Sequence, residues 1–303
     1  MVIFAGILPD LRKEILTRLL ALIALVVAGM LLSTLLIWVF ARVRGISIDS
    51  EYDLMSLLGQ TENASMVKVL IGFNHLMTFL VSSMAYVFIF YRHKMKEWLQ
   101  LYHFNPLLLI LFPLALFSLY PLMGYTAFFV DKLELPEFLQ KMDQDAMTTL
   151  SRLLTMENLG DLAANLLLVG VLAGVGEELL FRGIIQKEII KYWGKPHAAI
   201  WITSVIFGLF HFQVVGFLPK MGIGLVLGYA YHYSGSLILP MIIHILNNSL
   251  ATVSLYLSGG KLSPEEIPAE NIPLAGVLVS TCIFTLLMVQ IRKISQNKPT
   301  EIS

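Results

Sequence analysis

The chain has 303 residues, 57% hydrophobic and 14% charged, with 21 basic and 21 acidic side chains and a formal net charge of zero. A soluble domain carries nearer a quarter charged residues, so this composition excludes an ordinary soluble fold and points to an all-α polytopic membrane protein. The even charge balance offers no basic surface to nucleic acid, and the single cysteine, Cys282, excludes an internal disulfide and a cysteine-based metal cluster.

Uncharged apolar runs of about 17–25 residues are long enough to cross a hydrocarbon core ~30 Å thick. The first is Leu19 to Phe40, 22 residues without a charge. It is too long for the apolar part of a signal peptide, so no removable leader is expected. The second is Val69 to Tyr91. The third lies within Leu99 to Val130 and contains Pro106, Pro113 and Pro121. It reads as one kinked helix plus an interfacial piece. Between Glu134 and Leu154, apolar residues recur at Phe138, Met142, Ala146, Leu150, Leu153 and Leu154 with charges between them. That spacing fits an interfacial amphipathic helix, with a solvated helical hairpin as the alternative.

The fourth span begins near Asp161 and runs into Gly174-Val175-Gly176-Glu177-Glu178-Leu179-Leu180-Phe181-Arg182-Gly183. The fifth covers His197 to about Phe212 and the sixth Met221 to Tyr233; both are short, as for helices packed inside a bundle. Ser234-Gly235-Ser236 is a strong turn. The seventh is Leu237 to Leu257 and the eighth Pro273 to Ile291, with a Gly-, Pro- and Glu-rich loop between them at Ser258 to Ile272. Eight transmembrane helices are thus expected. Residues 1–160 are expected to form an N-terminal membrane region, 161–257 a core that holds the intramembrane charges, and 258–303 a loop, last span and tail. With eight spans, twelve lysines and arginines fall on the side of the two termini and eight on the other. The positive-inside rule then places both termini in the cytoplasm.

Ionisable groups at membrane depth are costly and usually functional. Glu178 and Arg182 stand four residues apart with the glutamate first, the favoured order for a helical ion pair. Glu177 is turned about 100° from Glu178 and is left to face something else. Two adjacent carboxylates in unlike settings suggest unlike roles. Phe207 to His211 puts an imidazole near a helix end, and His244 and Asn248 share one face of the seventh span. An isolated histidine in an apolar helix is more often a satisfied structural residue, and His75, His93, His103, His197 and His232 are read that way. What lifts Glu177, His211, His244 and Asn248 above that reading is their coincidence within about 70 residues of sequence.

These residues carry a resemblance. Gly176 to Gly183 resembles the Glu-Glu-x-x-x-Arg motif of the CAAX protease and bacteriocin-processing (CPBP) family of intramembrane proteases. Phe207 to His211 is similar to its Phe-x-x-x-His motif, and His244 to Asn248 to its His-x-x-x-Asn motif. All three occur in the family's order, over about a third of the chain. The resemblance implies an intramembrane endopeptidase, like the type II CAAX prenyl endopeptidases, in an eight-helix fold whose site opens to the cytoplasm. It implies that Glu177 activates water with His211, that Glu178 bonds Arg182, and that His244 and Asn248 stabilise the oxyanion.

Relatives are described as metalloproteases, and Glu177, His211 and His244 would be the zinc donors, a legitimate three-ligand set. There is no His-Glu-x-x-His, and Asn248 is a natural oxyanion donor rather than a zinc ligand. A metal-independent glutamate mechanism without cofactor is therefore favoured, with the zinc enzyme as the alternative. Two further readings are a non-catalytic membrane immunity or scaffold protein on the same fold, and a transporter or proton pathway. The expected partners are the lipid bilayer and a peptide or protein substrate, either prenylated or a small membrane-associated peptide. The expected location is the plasma (inner) membrane of a prokaryote.

Overall fold

The computed structural model describes residues 3–43, 64–259 and 272–296, and these are helical with no strand among them. Six stretches among them are long and apolar enough to cross a membrane: Lys13–Val43, Lys68–Leu99, Leu108–Asp131, Leu159–Trp193, Ile238–Leu257 and Leu274–Gln296. The protein is a multi-pass, all-α membrane protein. Large apolar side chains such as Leu31, Leu278 and Leu286 remain exposed, as a lipid-facing surface requires.

The expected count of eight is not confirmed: six such spans are found among the described residues. The fifth and sixth expected spans form the helices Pro196–Leu209 and Phe217–Ser234. The former has 14 residues and reaches only about 21 Å, short of a ~30 Å hydrocarbon core. The latter is interrupted by Lys220, Gly222, Gly224, Gly228 and His232, which lower its hydropathy. The segment expected to be amphipathic forms a single helix, Glu137–Leu154, with no buried side chain, rather than a hairpin. Of the loop expected at Ser258 to Ile272, residues 260–271 lie outside the described residues.

The chain divides into two compact units. The first draws on Met1–Leu99, Thr149–Lys195 and His244–Leu262, the second on Gln100–Thr148, Pro196–Ile243 and Ser263–Ser303.

In the first unit the N-terminal helix Ile3–Val43 packs along the second span, which runs as an α-helix to His75, a π-helical turn over Leu76–Val81 and an α-helix again over Ser82–Tyr91. The Ser82 hydroxyl donates to the Leu25 carbonyl at 3.0 Å across this contact. Two more π-helical turns, Leu166–Leu172 and Phe181–Gln186, lie in Leu159–Trp193 on either side of Ala173–Leu180. π-turns are rare and concentrate at functional sites. Further along the same span, the buried Glu188 accepts from Tyr86 at 3.0 Å and from Tyr91 at 2.5 Å. Arg18 of the first helix reaches Tyr91 in turn. This buried carboxylate thereby links three helices through donors that other helices supply. Lys68 and Asp161 form a second link, an ion pair at 2.6 Å.

The second unit centres on Leu108–Asp131, which stays one helix with Pro113 and Pro121 inside it. Phe112, Leu116 and Leu119 pack there with Val226, Leu227 and Ile291 from Phe217–Ser234 and Leu274–Gln296. Within this unit, Asp143 of the amphipathic helix accepts from the backbone N–H of Val214 at 2.9 Å and of Val215 at 3.4 Å. Gln213 donates to the Met147 sulfur at 3.2 Å. The amphipathic helix is thus tied to the turn that follows Pro196–Leu209.

A close helix contact in the first unit falls three residues before the Glu-Glu pair. A Cβ at Gly174 would lie 2.7 Å from Ile245 Cγ1 and 3.0 Å from the Ile245 backbone nitrogen. Backbone cannot move aside as a flexible side chain can, so only glycine fits. Gly174→Val is expected to destabilise the protein by about 1–3 kcal/mol through overpacking, with Gly174→Ala intermediate. Thermal unfolding of detergent-purified protein measures this, and unchanged midpoints would refute the contact.

Candidate functional site

Helix Ala173–Leu180 buries nearly every residue it has, including both glutamates. Glu178 and Arg182 have no solvent exposure and meet at 2.7 Å, four residues apart as the spacing anticipates. The intervening π-turn starts at Phe181, so Arg182 belongs to the widened turn while Glu178 belongs to the regular helix.

The same carboxylate oxygen that receives Arg182 also receives His244. Glu178 Oε1 lies 2.9 Å from His244 Nδ1. A carboxylate paired with a guanidinium only accepts, so Nδ1 carries a hydrogen and is the donor. The imidazole is held by one edge, and its other nitrogen, Nε2, points to Glu177 Oε2 at 3.8 Å. Glu178 therefore does more than neutralise Arg182. It orients the second histidine of the motif set, as a carboxylate orients the imidazole of a catalytic triad.

Glu177 is 8% exposed and has an imidazole on each side. His244 faces Oε2, and His75 Nε2 faces Oε1, also at 3.8 Å. The sequence reading set Glu177 apart and classed His75 with the ordinary histidines; the structure places them together. His75 was missed because it stands alone in an apolar helix about a hundred residues before the motif, and periodicity cannot tell which helix will pack against it.

Asn248 lies one turn beyond His244 on Ile238–Leu257. Its side-chain amide donates to the Val169 carbonyl at 3.0 Å, in the π-turn that precedes the glutamates. One of its two N–H groups is used there. Asn247 donates to Asn248 Oδ1 at 3.1 Å, so the two adjacent asparagines act in series and Asn247 fixes which way the Asn248 amide points. The first unit thus assembles Glu177, Glu178, Arg182 and His244, with Asn248 anchored to the glutamate-bearing span.

His211 belongs to the second unit. It sits in the turn just past Pro196–Leu209, ahead of Phe212, whose φ is 53°. Its Nδ1 is 2.8 Å from the Phe207 carbonyl oxygen. A carbonyl only accepts, so Nδ1 carries hydrogen. The Phe207 ring meets the imidazole edge-on at 5.0 Å.

Zinc can be tested against this arrangement. Two imidazoles flank Glu177, yet among the described residues no three histidine, cysteine, aspartate or glutamate side chains gather closely enough to hold a metal ion.

Residues 159–250 match the family described as type II CAAX prenyl endopeptidase Rce1-like. That stretch contains every motif residue named above and is about a third of the chain. The match is to a family of proteases. The chain is also 29% identical over 86 residues to the uncharacterized protein YpbD of Bacillus subtilis (strain 168), covering 27% of this chain and 41% of that protein. It thus spans well under half the length of this curated relative. No solved structure matches the chain.

The site yields a paired prediction. Glu178→Gln breaks a fully buried ion pair and should cost about 3–5 kcal/mol, read as a fall in the unfolding midpoint and in membrane yield. Replacing both partners, Glu178→Gln with Arg182→Gln, should recover much of that stability but not activity, because His244 still lacks its carboxylate. Recovery of both would show that Glu178 serves Arg182 alone.

Proposed function

We propose that this protein is an intramembrane endopeptidase that hydrolyses a peptide bond with water activated by Glu177. The observation that carries the reading is the relay Arg182–Glu178–His244, which holds an imidazole against the Glu177 carboxylate in a buried setting. The match to an endopeptidase family over this segment supports it.

In this mechanism Glu177 takes a proton from water, a step to which the family resemblance also assigns His211. The hydroxide attacks the scissile carbonyl and a tetrahedral oxyanion forms. His244 donates to it through Nε2–H while Glu178 balances the ring's charge. Asn248 contributes the amide N–H that Val169 does not engage. Losing one such donor costs about 10²–10³ in rate. Glu177 then gives its proton to the leaving amine, the usual acid–base alternation of one group.

The mechanism is metal-independent. Glu178 and the backbone hold His244 and Asn248 as hydrogen-bond donors, a role that oxyanion stabilisation uses and zinc ligation does not. We place the protein in a prokaryotic plasma membrane, and its lysine and arginine distribution supports cytoplasmic termini. Its substrate is a membrane-associated peptide or protein, and a prenylated C-terminal tail is the class that the family resemblance brings forward.

Two measurements decide this. Peptides released by wild-type membranes and by Glu177→Gln membranes, compared by mass spectrometry at equal protein levels, should differ by a set that only the wild type releases. An identical peptide set would sink the endopeptidase reading. Purified protein should keep its activity after exhaustive chelation. Stoichiometric zinc whose removal abolishes activity would instead establish the metal enzyme.

A further inference from the structure

His75 is the last residue of Ala64–His75, directly before the π-turn Leu76–Val81. Three contacts hold its ring. Phe79, four residues on, stacks against it with centroids 4.3 Å apart and planes 24° apart. Gly176 lies against the same pair: a Cβ there would be 3.2 Å from Phe79 Cβ and 3.6 Å from His75 Nε2. The ring edge points at Glu177 Oε1, 3.8 Å from Nε2. That nitrogen is itself buried and makes no hydrogen bond. An imidazole nitrogen out of water and aimed at a carboxylate is an arrangement that a purely apolar packing role does not call for.

The two glutamate oxygens are thus divided between two helices. Oε2 faces His244 on Ile238–Leu257, and Oε1 faces His75 on the second span. A distance of 3.8 Å is too long for a hydrogen bond, but closing it to ordinary length takes somewhat under ~1 Å of movement. Catalytic hydrogen bonds are often long in the absence of substrate and tighten when it binds.

We infer that His75 is a positioning residue for the general base: its Nε2–H closes on Glu177 Oε1 and fixes the carboxylate plane, so that Oε2 is the oxygen that takes and returns the water proton. No covalent bond to His75 forms and no proton leaves it; the proton moves from water to Oε2 and then to the leaving amine. A base with a fixed plane keeps its lone pair aligned with the water through both transfers, and misalignment is costly in rate. The glycine at 176 is what admits the second span this close, so the motif includes the space for His75 although no motif contains His75. This inference rests on the endopeptidase reading of Glu177.

The test uses full-length protein in its membranes and the set of peptides whose release depends on Glu177. His75→Leu removes the donor, and His75→Phe removes it while keeping an aromatic ring on Phe79. His75→Gln places an amide N–H near the position of Nε2. At equal membrane levels, the Leu and Phe variants should release those peptides at least about tenfold more slowly than wild type, while His75→Gln stays within about threefold. If the leucine variant fails to accumulate, the phenylalanine variant carries the comparison. Wild-type rates in the donor-less variants, with loss in Glu177→Gln, would overturn this inference and leave the endopeptidase reading standing. Equal slowing of all three His75 variants would also overturn it, since a packing role predicts that result. If no peptide depends on Glu177, the endopeptidase reading falls and this inference with it.

Discussion

The arrangement of the first unit depends on one buried charge pair. Arg182 and Glu178 have no contact with solvent and sit 2.7 Å apart. Taking two ions out of water is expensive, and their attraction offsets the cost only with good geometry and further hydrogen bonds. Glu178 obtains such a bond from His244, so the helix that carries His244 is held where that bond can form. The requirement to satisfy a structural charge thus also positions His244. Rotating Ala173–Leu180 about its axis would break the charge pair's link to His244, which is why the face that Glu177 presents is determined as well.

Close approach of the helices makes these polar contacts attainable. In a bilayer, lipid tails are as apolar as the side chains, so helices associate through tight packing and interhelical hydrogen bonds rather than by escape from water. Gly174 lets Ile245 come in against the backbone, and Gly176 does the same for Phe79 and His75. π-turns on both sides of the glutamates, and another after His75, adjust which face each helix presents. A π-turn also loosens the regular carbonyl pattern, and the Val169 carbonyl that holds Asn248 lies in one. Farther along the same span, Glu188 repeats the principle with Tyr86 and Tyr91, fastening the unit at a second level.

Helical spacing and charge order were enough to anticipate the Glu178–Arg182 pair and the shared face of His244 and Asn248, because i and i+4 contacts depend only on the helix itself. The membrane class followed from composition and run length. The span count did not transfer in full: Pro196–Leu209 has an apolar sequence, but a 14-residue helix is too short to cross by itself. The amphipathic spacing of Glu137–Leu154 was visible in the sequence, whereas its attachment through Asp143 to the turn after His211 was not.

The sequence by itself determined the membrane class, through composition and run length, and the Glu178–Arg182 pair, which residues one helical turn apart set. Tertiary structure decided what lies across from each helix face. Glu177, which stood apart in the one-dimensional pattern, is flanked by His244 from 67 residues later and by His75 from 102 residues earlier. Glu178, which looked occupied by Arg182, also orients His244. The reason is physical: a helix's periodicity dictates which side chains share a face, but only packing against other helices brings a second chain segment to that face.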